Sequence, residues 1–141
     1  MTDLATERSA KWLSGAGLRT TRQRMTLDNL LVGDGQDRHV TAESLFDAAR
    51  TKGAAVSLAT VYNTLNLFSD RGLTRECLVD PERRFYDSNT QPHHHFYNVD
   101  DGTLTDIPAG KVRIEGLPEA PEGFEAQDVE VVVRVRKRHI S

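Results

Sequence analysis

Three histidines stand side by side at positions 93–95, within the stretch NTQPHHHFYNV. On a β-strand, His93 and His95 would project to one face, about 6.6 Å apart, while His94 would point to the other. Two imidazoles at that spacing could lean onto one metal ion, which zinc sites hold at ~2.0–2.1 Å. A solvated loop is the alternative interpretation. A purification tag is not, because the cluster lies in mid-chain before an apolar stretch.

A metal site needs further ligands, and the sequence offers three with suitable chemistry. Asp87 precedes His93 by six residues, Asp106 follows His95 by eleven, and His39 lies in DRHVTAE. The set contains nitrogen and oxygen donors without thiolate, which suits Zn(II), Mn(II) or Fe(II) and does not select among them. These donors favour a metal site over a solvated loop.

The composition bounds the class of protein. The chain has 141 residues, enough for one domain or two small ones with a real core. No stretch approaches the ~18 apolar residues of a membrane helix, and no leader is evident. The single cysteine, Cys77, excludes an internal disulfide and a cysteine-rich zinc site. We therefore expect a cytoplasmic protein without a membrane partner.

The charge is unevenly distributed along the chain. The net charge is −3, yet residues 8–27 carry five basic side chains and no acidic one, whereas the region after Pro81 carries eight basic and eleven acidic residues. This distribution is compatible with a DNA-binding domain joined to an acidic second domain. A solvated basic helix face would give the same pattern.

The first half of the chain predicts helices followed by a hairpin. Apolar residues at helical spacing end at glycine-rich sequence in four consecutive segments: LATERSAKWLSGAG, TTRQRMTLDNLLVGDG, VTAESLFDAARTKG and SLATVYNTLNLFSDRGL. In the fourth, Val61, Leu65 and Phe68 form the apolar stripe. Two strand-like runs then flank Asp80-Pro81-Glu82, a turn signature. These elements predict a winged helix-turn-helix over residues 1–87, with 88–92 as a hinge.

The last third, residues 93–141, reads as short β-prone runs. They are HHHFYNV, GTLTDI, KVRIEG and DVEVVVRVRK, separated by Asp-Gly and by a Pro- and Gly-rich segment. In the last run, Val129, Val131, Val133 and Val135 alternate with more polar residues. A three- or four-stranded sheet of this size cannot hide both faces, which favours dimerisation through it. The expected fold class is α+β: an N-terminal winged helix-turn-helix followed by a small α/β, mostly β, dimerisation domain.

Several segments together resemble the ferric uptake regulator superfamily. They are LRTTRQR, HVTAESLF, SLATVYNTLNLFSDRGL, RRFYD and the His-x-His segment, in order over residues 15–107. The chain is most similar to the iron response regulator branch, in which HHHF follows a hairpin end in YD. The resemblance implies a homodimeric transcription regulator of iron and haem homeostasis, not an enzyme, that responds to metal or haem.

The resemblance also implies which residues form the sites. The regulatory metal ligands would be His39, Asp87, His93, His95 and Asp106, holding Fe(II), Mn(II) or Zn(II). If haem binds, its axial ligands would come from His93, His94 and His95, and a haem-delivering protein would be a further partner.

Two departures from the family pattern have consequences. Cys-x-x-Cys usually follows the histidines as a structural zinc site, but the matching positions are Asn98 and Asp101, so that zinc is expected to be absent. The long helix usually found after the strand of Asp106 is replaced by a segment too rich in Pro and Gly. Both departures fit the iron response regulators, although the Cys-Pro haem motif of some of them is missing.

The helix from about Ser57 to Ser69 would enter the major groove of DNA. Its exposed residues could contact thymine methyl groups and adenine, while arginines of the preceding segments would hold phosphates or reach an A·T-rich minor groove. The operator would be an A·T-rich pseudo-palindrome. Core packing is the alternative role for Tyr62, and relatives usually carry arginine where Asn63 stands. The expected DNA-binding residues are Arg19, Arg22, Arg24, Ser57, Ala59, Thr60, Tyr62 and Asn63.

The resemblance suggests a two-state mechanism. A metal-filled dimer would hold its reading helices about 34 Å apart, and loss of metal or capture of the histidines by haem would release DNA. Two other classes remain open: a small metalloenzyme built on His93, His95 and an aspartate, and a haem or metal carrier. Neither explains the arginines or the exposed face around Tyr62.

Overall fold

The first half of the protein is helical, as the apolar spacing predicts. The structure, a computed structural model, describes residues 3–139. Each helix begins after a side chain that accepts a hydrogen bond from a backbone N–H of the first turn; these capping residues are Asp3, Thr21, Thr41 and Ser57. The helices are α1 (Leu4–Gly15), α2 (Arg22–Val32), α3 (Ala42–Thr51) and α4 (Leu58–Asp70).

The four helices enclose one apolar core. Val61, Leu65 and Phe68 of α4 are fully buried, in agreement with the predicted stripe. Burying each such side chain contributes roughly 1.5–3 kcal/mol. In α2, Leu27 and Leu31 are fully buried, and the half-exposed Met25 and Leu30 pack against the same core, whereas Asp28 lies fully buried beside them.

A three-stranded sheet completes this part of the chain. The predicted hairpin is present as β2 (Arg75–Asp80) and β3 (Arg83–Asp87), joined at the predicted turn. A strand that the sequence did not suggest, β1 (His39–Val40), pairs antiparallel with β3, so that the order is β1-β3-β2. Four helices with this sheet form a winged helix-turn-helix, in which α4 follows α3 and the β2–β3 hairpin is the wing.

A second three-stranded sheet follows. Its central strand β4 (His93–Asn98) pairs antiparallel with β5 (Leu104–Pro108) and parallel with β6 (Val132–Val135). The β4–β5 turn is held by Asp101, which accepts bonds from the Thr103 N–H at 2.9 Å and its hydroxyl at 2.7 Å.

One expectation for this region is wrong. KVRIEG forms no strand: a short 3-10 turn (Ala109–Lys111) is followed by exposed irregular chain, because its apolar residues find no partner strand within the described residues. The face of alternating valines is not buried within the unit, since Val129 and Val133 are 40% and 39% exposed. The missing long helix agrees with the Pro- and Gly-rich sequence.

The chain divides into two compact units, Met1–Thr90 and Gln91–Ser141. The division falls within 88–92, the segment expected to be a hinge, whose mobility stays a prediction. Among the residues that the structure describes, no helix combines the length and apolar character needed to cross a bilayer.

Candidate metal centre and nucleic-acid interface

In the second unit, two strands bring three of the expected metal ligands together. His93 and His95 alternate along β4, and Asp106 on β5 is the register partner of His95. The Nε2 atoms of His93 and His95 lie 3.5 Å and 3.3 Å from the same atom, Oδ1 of Asp106. Both rings are buried, whereas the Asp106 side chain is 46% exposed, so the cluster opens toward solvent on the aspartate side.

Hydrogen bonds define which nitrogen of each ring carries the proton. His93 Nδ1 lies 2.6 Å from the carbonyl oxygen of Gln91, and His95 Nδ1 lies 2.7 Å from Oε1 of Glu130. A carbonyl or carboxylate oxygen only accepts, so both Nδ1 atoms donate. In the neutral imidazoles, both Nε2 atoms therefore carry the lone pair that a metal ion needs.

This arrangement requires a positive charge among its atoms. Two nitrogen lone pairs and a carboxylate oxygen repel one another at 3.3–3.5 Å unless a proton or a cation lies between them. One donor atom from each of His93, His95 and Asp106 lies within 4.8 Å of the others. The set fits a divalent ion with nitrogen and oxygen preference, such as Zn(II), Mn(II) or Fe(II).

His94 differs from its two neighbours. Its Nδ1 accepts a hydrogen bond from the backbone N–H of Val131 at 2.9 Å, so the proton of the neutral ring lies on Nε2. No lone pair is then available to iron. The haem-binding role expected for His93, His94 and His95 gains no support from this geometry, because His94 would have to break that bond in order to ligate.

The remaining two expected ligands lie in the first unit. His39 on β1 and Asp87 on β3 are register partners, which places their side chains on the same face of the sheet. The His39 ring packs edge-on against Phe85, with centroids 6.4 Å apart. Asp87 is buried and accepts a bond from the Asn89 N–H at 2.9 Å. Strand β1, which the sequence did not reveal, thus explains how His39 comes beside Asp87.

Asn98 and Asp101 stand where the family resemblance implies two cysteines, and both hold the turn between β4 and β5. Asn98 Oδ1 accepts from the Asp100 N–H at 2.9 Å, and Asp101 holds the next residues of the same turn. These side chains form the β4–β5 turn, and Cys77 lies in the first unit. The described residues of the second unit contain no cysteine for a structural zinc site.

Three of the expected DNA-binding residues, Arg24, Thr60 and Asn63, line one groove between α2 and α4 in the first unit. The groove is lined by Thr21, Gln23, Arg24, Thr60, Asn63, Thr64 and Leu67. The eight expected residues are all exposed or half-exposed; they are Arg19, Arg22, Arg24, Ser57, Ala59, Thr60, Tyr62 and Asn63. Gln23 also lines this groove, but the sequence did not indicate it because its side chain carries no charge.

Four of these side chains are already hydrogen-bonded within the protein, those of Arg24, Ser57, Thr60 and Tyr62. Arg24 donates to the Arg19 carbonyl at 3.2 Å, and Ser57 donates its hydroxyl to that of Thr60 at 2.9 Å. Ser57 Oγ caps α4 by accepting from the Thr60 N–H at 3.1 Å. Tyr62 donates its hydroxyl to Oε1 of Glu43 at 2.6 Å, and this hydrogen bond raises the pKa of Tyr62. Tyr62 is half-buried and packs against the core, and its hydroxyl is committed to α3, so core packing accounts for at least part of its role.

Other neighbours of the candidate sites could not be found from the sequence. Arg83 and Arg84, exposed on the wing, line a groove with Tyr62. Glu130 contacts His95, which lies 35 positions earlier in the chain. Only the β4–β6 pairing brings Glu130 there, and no local pattern encodes that pairing.

The chain is similar in sequence and in fold to known proteins. A profile of the Ferric uptake regulator family matches residues 15–134. The chain is 32% identical over 101 residues to the peroxide-responsive repressor PerR of Staphylococcus epidermidis, covering 72% of this chain and 66% of that protein. It is 31% identical over 101 residues to the protein of the same name from Staphylococcus aureus, covering 72% and 67%.

Solved structures are similar as well. The ferric uptake regulator of Pseudomonas aeruginosa with manganese is 28% identical, with a TM-score of 0.69, over 93% of this chain and 98% of that one. The regulator of Vibrio cholerae, at 21% identity and a TM-score of 0.69 over 91% and 98% of the two chains, shares the fold. This chain belongs to the ferric uptake regulator family, whose members are metal-responsive regulators of transcription.

Proposed function

We propose that the protein is a dimeric, metal-controlled transcription regulator that binds double-stranded DNA through α4. The observation that carries the proposal is the tautomer pattern at His93 and His95. Two buried rings have their Nε2 atoms directed at one carboxylate oxygen, while each Nδ1 donates to an acceptor of its own. Such a cluster is built for a cation and does not require a substrate.

The proposed ligand set adds His39 and Asp87 to His93, His95 and Asp106. The first two are neighbours across β1 and β3, and only five residues of chain separate Asp87 from His93. A bound divalent cation would be held by nitrogen and oxygen donors from all five side chains. Ligands from two units would make the angle between them depend on metal, which is a hinge-type switch.

The proposed DNA contacts follow from helix α4 and its neighbours. The exposed Ala59 and Asn63 and the half-buried Thr60 and Tyr62 lie on the first two turns of α4, where a recognition helix contacts bases. Arg19, Arg22 and Arg24 lie at or near the start of α2, and no acidic residue intervenes. They would hold phosphates, and Arg19 could enter an A·T-rich minor groove. Ser57 would act through its cap rather than by a base contact.

The proposed dimer forms through the second unit. Phe96 of β4 and Val133 of β6 are register partners on one sheet face, and they are 41% and 39% exposed. A second copy of the chain packed there would cover them and would pair two reading helices over a pseudo-palindrome. The protein that we propose is a cytoplasmic regulator of metal homeostasis, and iron is the expected metal.

Haem control and membership of the iron response branch stay predictions. Their support is the HHHF segment and the absence of both the long helix and the zinc cysteines. Against haem stands the Val131 bond to His94. Control by a metal ion does not require this hydrogen bond to break, so we propose control by metal rather than by haem.

The test is DNA-binding anisotropy with an A·T-rich palindromic duplex. Chelated protein is titrated first, followed by protein with Mn(II) or Fe(II), and then by protein with haem. We expect affinity to rise with metal, and the double variant His93→Ala, His95→Ala to lose that rise while folding normally. His139→Ala, an exposed histidine outside the cluster, is the matched control. A double variant that responds to metal like the control would refute the switch.

A further inference from the structure

Glu130 contacts His95 from the segment that leads into β6. Its Oε1 accepts the Nδ1–H of His95 at 2.7 Å, and the pair is largely shielded, with His95 1% and Glu130 22% exposed. We propose that Glu130 is a positioning residue of the metal centre: it keeps His95 in the tautomer that can ligate and ties the last strand to the site. The inference rests on the proposed function.

Two more hydrogen bonds join the same short stretches. The His95 N–H donates to the Val131 carbonyl at 3.1 Å, and the Val131 N–H donates to His94 Nδ1 at 2.9 Å. Two consecutive residues of the last segment are thus bonded to two consecutive histidines by three bonds. One histidine faces the metal cluster and the other holds the strand.

The last strand needs this attachment. β6 has four residues, pairs with β4 alone at the edge of the sheet, and follows a long exposed segment without regular structure. Parallel pairing of so few residues is weak by itself. The bond between Glu130 and His95 adds a charge-assisted contact at the point where the strand begins.

The two functions of Glu130 are linked through the imidazole ring. When Nε2 of His95 is ligated, its Nδ1–H becomes a stronger donor, so the bond to Glu130 strengthens. By the same linkage, a Glu130 that holds the Nδ1–H tautomer favours ligation at Nε2. Metal binding and the pairing of β6 with β4 should therefore stabilise each other.

The experiment compares Glu130→Leu and Glu130→Gln with Glu122→Leu and Glu122→Gln. Glu122 is an exposed carboxylate of the preceding segment. Free Mn(II) is measured by electron paramagnetic resonance, and ¹⁵N spectra of the histidine rings in metal-free protein report the tautomer of His95. We expect Glu130→Leu to weaken Mn(II) binding about 10- to 100-fold and to lose the Nδ1–H tautomer. Glu130→Gln, whose amide oxygen still accepts, should keep the tautomer and lose less affinity.

Amide hydrogen exchange gives the second readout. The N–H groups of His95 and Val99 donate to carbonyls of the β6 side, so their protection reports the attachment of this strand. Wild-type protection should rise with Mn(II), and this rise should shrink in Glu130→Leu. Should that variant not fold, Glu130→Gln must still bind Mn(II) several-fold more weakly than Glu122→Gln.

The outcomes separate the two proposals. If the wild type binds Mn(II) and the Glu130 variants match their Glu122 controls, the positioning role is refuted and the regulator function stands. If amide exchange becomes faster in the Glu130 variants while their Mn(II) affinity stays unchanged, Glu130 only holds β6 against β4. That outcome also refutes the positioning role. A wild type that binds no Mn(II) refutes the proposed function itself.

Discussion

At the scale of single residues, the three adjacent histidines differ in whether Nε2 carries a lone pair or a proton. Strand alternation places His93 and His95 on the face shared with Asp106, and His94 on the face shared with Phe96. The partner of each Nδ1 then decides what Nε2 can do. An oxygen acceptor leaves a lone pair on Nε2 of His93 and His95, whereas a backbone donor leaves a proton on Nε2 of His94.

This difference predicts opposite effects of two neighbouring substitutions. His95→Ala should weaken Mn(II) binding by at least about 100-fold, because a ligand is lost. His94→Ala should change Mn(II) affinity only a few-fold but should expose the Val131 amide to exchange. Mn(II) titration and hydrogen exchange measure the two effects. Equal losses of affinity in both variants would show that His94 is also a ligand.

At the scale of elements, α2 contains a residue that its amphipathic pattern does not explain. Asp28 is fully buried, and among the described residues neither carboxylate oxygen has a partner at hydrogen-bond geometry. Burial raises its pKa to about 8, and the nearby Ser9 hydroxyl opposes this only in part. The folded protein therefore holds a neutral carboxylic acid between α1 and α2 at neutral pH.

The raised pKa makes stability depend on pH. The unfolded chain releases the Asp28 proton near pH 3.8 and the folded protein near pH 8, so the folded state binds more protons between these values. The stability from this group is complete below about pH 4 and is lost as pH rises to about 8, at up to roughly 1.4 kcal/mol per pH unit.

Asp28→Asn should remove this slope and should raise the unfolding free energy at pH 8, because no buried carboxyl then tends to ionise. Urea denaturation at pH 5.5 and pH 8 measures the change, with the exposed Asp47→Asn as control. A variant whose stability falls between the two pH values as much as the wild type does would contradict the assignment to Asp28.

At the scale of the whole molecule, the sheet of the second unit has an apolar face that remains partly exposed to solvent. Phe96 and Val133 stand side by side on β4 and β6 and are 41% and 39% exposed. A face of this kind on so small a unit favours association with a second copy.

Phe96→Glu is expected to convert the dimer into a monomer, because it would place a charge in an apolar interface. Sedimentation velocity measures the change in mass, and operator affinity should fall by at least about tenfold with the loss of the second half-site. Leu78→Glu, which alters an exposed apolar residue of the first unit, should leave the mass unchanged. A Phe96→Glu protein that remains dimeric would place the interface elsewhere.

Local sequence determined most elements of this protein. The four segments with apolar residues at helical spacing are all helices, and the Asp80-Pro81-Glu82 turn joins the expected strands. Caps, turns and apolar periodicity act over a few residues, so a single sequence contains the information. The His-x-His spacing and Asp106 were also readable, since strand alternation and a tight hairpin fix their relative positions.

Tertiary structure alone decided how the site is completed. The two-residue strand β1 beside Asp87, the buried Asp28 and the pairing of β6 with β4 all depend on contacts between distant segments. Pairing at long range depends on which surfaces remain uncovered after the local elements form, and no spacing in the sequence records it. For that reason the histidine triplet was visible in the sequence, whereas the separate role of His94 and the contact of Glu130 with His95 were not.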